Sequence, residues 1–151
     1  MKRTITKYGL LALFSAAVLF LAALVLAKEL SFSIQAVVGY ASMFIALTFV
    51  FFGIKHFRDK ENNGRITFRK AFIIGICISL FASVGFGIID YIYTTAINPD
   101  FMTEYAAVMK EQGEEDVQMY SSTALAILMF ATVLVMGFII TLLSSFILQR
   151  K

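Results

Sequence analysis

The sequence has no tryptophan and only one histidine, one cysteine and one proline among 151 residues. The single cysteine, Cys77, cannot close a disulfide within the chain and says nothing about redox compartment. It reads as a small apolar group inside a hydrophobic run. The single histidine, His56, has no second ligand to make a zinc site with. Charge is scarce as well: Asp, Glu, Lys and Arg make up 15% of residues, where soluble domains carry about a quarter. Together with a mean hydropathy of +0.84, that excludes the soluble globular class. Also missing are a nucleophile elbow, a phosphate loop and a metal-ligand cluster. The expectation is therefore a non-enzymatic protein without a cofactor.

What the chain has instead is apolar length. A bilayer core about 30 Å thick needs roughly 20 apolar residues to cross it as a helix. Four segments qualify, at about residues 8–27, 34–54, 71–89 and 123–148. Inside lipid the backbone has no water to bond, so each should be an α-helix. At 151 residues they belong to one domain. The expected fold is an all-α membrane protein with four transmembrane helices, in contact with the lipid bilayer.

The few charges sort by side. Four spans divide the flanks between two compartments. One holds Lys2, Arg3 and Lys7, then six basic residues between Lys55 and Lys70, then Arg150 and Lys151, eleven in all. The other holds two, Lys28 and Lys110. Cytoplasmic loops carry the Lys/Arg excess, so both termini are expected inside, in a cell inner (cytoplasmic) membrane. The net charge of +3 thus reflects topology, and no nucleic-acid partner is implied.

The basic run from Gly53 to Phe72 becomes the cytoplasmic hairpin between the second and third spans. Lys55 and Arg58 follow a helix C-terminus, where the macrodipole favours cations. Arg69 and Lys70 begin the next helix, where it opposes them by about 0.3–1 kcal/mol each. Anionic headgroups return about 1 kcal/mol per basic residue, so the charges are tolerated. Asn63 and Gly64 supply the turn, since both readily adopt the left-handed conformation. The N-terminal "MKRTITK", an apolar run and "VLA" before Lys28 also resemble a secretory signal. Its 20 uncharged residues exceed the usual core of about 7–15, so the first span is expected to be retained.

The loop from Asn98 to Ser122 is acidic, with Asp100, Glu104, Glu111 and the cluster Glu114, Glu115, Asp116 against Lys110 alone. The cluster lacks the spaced ligands of a calcium loop. "NPDFMTEYAAVMKEQG" predicts a short amphipathic helix with Asn98 as N-cap, Pro99 at the first position and Gly113 ending it. Phe101, Tyr105, Val108 and Met109 form its apolar stripe. Its apolar face is expected on the outer membrane surface or on the bundle ends; an acidic polar face is unlike that of helices drawn to anionic lipid, which makes docking on protein at least an equal alternative.

The third span places Ala71, Gly75, Ser79, Ser83 and Gly87 at every fourth position. Such a stripe lets backbones approach closely, which matters where lipid removes the hydrophobic drive for association. A shorter stripe, Gly137, Thr141 and Ser145, runs along the fourth span. The two helices are candidate partners for each other or for a dimer seam. Asp90 is the one acidic residue continuous with a span. It falls one position past the 71–89 run, beside Tyr91 and Tyr93, which resemble an aromatic belt. The reading is a carboxylate at the outer rim near Lys28, and these two residues form the candidate polar site.

The run "YASMFIALTFVFFGIKHFRDKENNGRITFRKAFIIG" followed by "INPDFMTEY" resembles a bacterial membrane family catalogued as domain of unknown function 4199. The resemblance rests on Phe-Phe-Gly-Ile-Lys closing an apolar run, the Arg-Asp-Lys-Glu connection, the Gly before Ile66 and the Asn-Pro-Asp step. It implies a four-helix integral membrane protein and supplies no catalytic residues. The functional expectation is a scaffold or accessory subunit, with a homo-oligomer or another membrane protein as partner. The alternative is a small homo-oligomeric transporter using Asp90.

Overall fold

The computed structural model describes residues 1–150, so Lys151, counted above among the basic flanks, lies outside the described residues. Five α-helices follow one another: α1 (Lys2–Leu26), α2 (Phe32–His56), α3 (Phe68–Ile92), α4 (Phe101–Glu111) and α5 (Ser122–Leu148). π-helical turns extend α2 through Phe57–Glu61 and α3 through Tyr93–Ile97. With these extensions the four long helices run 25, 30, 30 and 27 residues, all apolar enough to cross a membrane. A 30-residue helix is about 45 Å long, so α2 and α3 overhang a bilayer core of about 30 Å. Phe14, Val18, Val37, Val135 and Ile147 are each more than half exposed on the outside of the bundle, which is the surface lipid covers.

The long helices form a ring in the order α1, α2, α5, α3, with α2 and α3 also in contact across the middle. Among the described residues α3 is the most buried of the four and α5 the least. The small-residue stripe of α3 explains its burial. A Cβ added to Gly75 would lie 2.5 Å from Thr141 Cγ2, and one added to Gly137 would lie 2.6 Å from Ser79 Cβ. Only a missing side chain allows the helices to come this close. Ser79 and Thr141 hydroxyls meet at 3.3 Å, and the Ser83 hydroxyl is satisfied by donating to Ser79 O at 2.8 Å. The stripe is therefore covered by α5 of the same chain. On its opposite flank α3 meets α1, with Phe86 against Phe20 at 4.8 Å between ring centres.

At one end of the bundle the chain's basic segments gather. Asn63 (φ 53°) and Gly64 (φ 76°) form the left-handed turn of the hairpin, and Asn62 Nδ2 donates to Arg65 O. Ile66 and Arg150 exchange two backbone hydrogen bonds, both 2.9 Å. Arg58 is nearly buried between Asp59, at 2.6 Å, and the carbonyl of Leu148, at 3.5 Å. Glu61 accepts from the Thr4 hydroxyl and lies 2.9 Å from the Met1 amino group. The start of α1, the hairpin and the end of α5 are thus tied together.

The opposite end is closed by α4. Its N-cap is Asp100, two residues later than the expected Asn98. The Asn98 amide instead closes the π turn on Tyr93 O at 2.7 Å, and its side chain donates to Glu104 Oε2 at 3.0 Å. Asn98 so terminates α3 rather than starting α4. Gly113 (φ 97°) ends α4, with Glu114 N–H reaching back to Met109 O at 3.0 Å. That bond, six residues to one, is the Schellman closure that glycine permits.

Candidate functional site

The sequence places the end of the third span near residue 89. The helix continues to Ile97, seven residues past Asp90, so Asp90 lies about 10 Å short of the helix end. The reason is local. Thr94 and Thr95 hydroxyls bond back to Asp90 O at 2.9 Å and Tyr91 O at 2.6 Å, and such back-bonding lets polar residues stay helical without water.

Asp90 is 8% exposed. Its Oδ2 is enclosed and has no hydrogen-bond partner. Lys28 is exposed in the turn after α1, and among the described residues no ion pair forms between it and Asp90. Hence the two halves of the candidate polar site do not meet. That separation depends on how far α3 runs past its last charge, for which the uncharged stretch after Asp90 is the one sign in the sequence.

What meets Asp90 is a cavity of about 350 Å³ between α1, α2, α4 and α5. Five aromatic rings line it: Phe20, Phe32, Tyr40, Phe101 and Tyr105. The α4 stripe supplies two of them and forms the roof. Phe32 stands edge-on to Phe101 at 6.0 Å and to Tyr105 at 5.6 Å, and Phe101 meets Tyr93 of the π turn at 6.0 Å. Ser122 of α5 donates to Thr94 O at 3.2 Å, fixing the end of α3 against the start of α5. Gln35 is on the wall, with its amide donating to Leu30 O at 2.8 Å. Gly39 leaves open space there: the nearest atom to an added Cβ is Phe20 Cε2 at 4.0 Å.

Among the described residues no Lys, Arg or His lines the cavity. An unpaired carboxylate in a mostly apolar enclosure is costly to maintain. Ionisable groups in spans are functional candidates for that reason. The aromatic wall was half legible, since Phe101 and Tyr105 stood out as a stripe. Phe20, Phe32 and Tyr40 carried no signal, being aromatic residues within or beside apolar runs.

No curated protein and no solved structure matches the chain. A family profile does, over residues 7–150, and its description is "Protein of unknown function (DUF4199)". That match covers all four long helices and α4 apart from the first residues of α1, and so this multi-pass membrane protein belongs to the DUF4199 family.

Proposed function

We propose that the protein binds a small molecule in the Asp90 cavity, on the non-cytoplasmic side of a cell inner membrane, with both termini in the cytoplasm. The orientation rests on charge: the tied end carries the basic flanks, and the α4 end carries Lys28 and Lys110. The single observation behind the binding role is the buried, unpartnered Asp90 carboxylate in an aromatic cavity. Cavities of about 300–1,000 Å³, mainly apolar with a few fixed polar groups, are the usual form of small-molecule sites. Binding is favoured over chemistry because the remaining polar groups on the wall are the Gln35 amide and the hydroxyls of Tyr40, Tyr105 and Thr132.

A scaffold or accessory role drew support from the α3 stripe. With α5 of the same chain on that stripe, a protein partner would need another surface. A transporter using Asp90 would be built on the same cavity, with a second opening toward the cytoplasm.

The test uses an uncharged probe, neopentylbenzene, added to the protein in lipid nanodiscs. Saturable binding to wild type that Gly39→Leu abolishes is expected, because the leucine fills the cavity from a position with open space. Binding that is unchanged in Gly39→Leu, or absent from wild type, would contradict the proposal.

A further inference from the structure

We infer that the ligand is an organic cation with an apolar body, an amine or quaternary ammonium group seated against Asp90. This deepens the binding role proposed above and rests on it. Three observations point the same way. First, among the described residues Asp90 is the only ionisable acid or base on the cavity wall other than tyrosine. Among the described residues it has no ion pair, so the site's charge is complemented only by what enters. A carboxylate enclosed in this way attracts a cation more strongly than one in water, because the surrounding dielectric is low.

Second, the wall is aromatic on several sides. Phe20 reaches the cavity from α1, Phe32 and Tyr40 from α2, and Phe101 and Tyr105 from α4. Ring faces attract cations, and aromatic cages are the recurring device for holding alkylammonium groups. Apolar substituents on the cation would take the remaining apolar lining, including Leu24 and Met129.

Third, the wall discriminates against the other cations. A bare metal ion wants six or more oxygen ligands in the case of calcium, and six for magnesium. Here one carboxylate, one amide and a few hydroxyls are spread over four helices, and the amide is already engaged with Leu30 O. An anionic or zwitterionic ligand would bring a negative group beside Asp90 without any Lys, Arg or His on the wall to receive it.

The experiment compares two probes of the same shape in nanodiscs, benzyltrimethylammonium and its uncharged carbon analogue neopentylbenzene, with empty nanodiscs as the blank. Wild type should bind both. Asp90→Asn should lower the ratio of cation to neutral-probe affinity about tenfold or more, the range expected for losing a close charge partner. Retained neutral binding shows that the variant is folded. Tyr105→Leu serves as a second variant: it removes a ring but no charge, and should weaken the cation about threefold more than it weakens the neutral probe. Neutral binding without cation binding, or a cation-to-neutral affinity ratio indifferent to Asp90→Asn, would overturn the cation assignment and leave the cavity a binding site. Failure of both probes to bind wild type would overturn the assignment and the binding role together.

Discussion

Ser79 Oγ lies 3.3 Å from Thr141 Oγ1 across the α3–α5 contact, and neither residue has exposed surface. Interhelical hydrogen bonds in a membrane bundle average about 0.6 kcal/mol. The close backbone approach around the pair contributes more than the bond itself. Gly137→Leu should therefore destabilise the fold by about 1–3 kcal/mol, the range for overpacking, whereas Ser79→Ala should cost about 0.6 kcal/mol. Denaturant titration in mixed micelles measures both. Equal effects would mean that the hydroxyl pair, not the approach, dominates.

The same seam bears on the double substitution Ser79→Leu with Ser83→Leu. Both serines are fully enclosed, so two leucines cannot be accommodated without moving α5. Loss of thermal stability without any change in oligomer size is expected. A change of oligomer size at unaltered stability would place a second copy, rather than α5, on this face.

Orientation can be read from reporters. A periplasm-active enzyme fused after Lys151 should be silent, and one inserted at Gly113, at the end of α4, should be active. The reverse pattern would mean that the basic end faces outward.

The basic end should also behave as a unit. Ile66 and Arg150 hold each other by two backbone bonds, and Arg58 reaches both Asp59 and Leu148 O. Replacing Arg58 by Ala should speed amide hydrogen exchange at Ile66 and Arg150 together, leaving the middle of α3 protected. Exchange that changes at only one of the two amides would show that the bridge does not depend on Arg58.

Much of this architecture was legible because its determinants are local. The four spans follow from charge-free length, the hairpin turn from Asn63 and Gly64, and the end of α4 from Gly113. The stripes on α3 and α5 could be paired because both have the spacing of one helix face. Helix ends were less legible. Phe57 with the charged residues 58–61, and the stretch 93–97 with its two threonines, continue their helices as π turns, whose side-chain and backbone bonds replace water. Asp90 was consequently expected beside Lys28 and is found under the roof formed by α4. Its neighbours come from four helices, and no spacing within the sequence records that convergence. The length of "GIIDYIYTTAI", uncharged on both sides of Asp90, was the one visible clue.

The Asp90 cavity is tested most directly by the reactivity of a thiol placed on its wall. Gly39→Cys, in a Cys77→Ser background, offers such a thiol at a site with open space. Right-side-out membrane vesicles are treated with a trimethylammonium-bearing or a sulfonate-bearing methanethiosulfonate, with Asp90 present or replaced by Asn. A cation within about 6 Å of a carboxylate gains about 3 kcal/mol at an effective dielectric constant of about 20. The rate ratio of cationic to anionic reagent should accordingly fall by about tenfold or more when Asp90→Asn is introduced, with both reagents acting from the outer face. An unchanged ratio, or modification from the cytoplasmic face alone, would contradict a cation-attracting cavity on that side of the membrane.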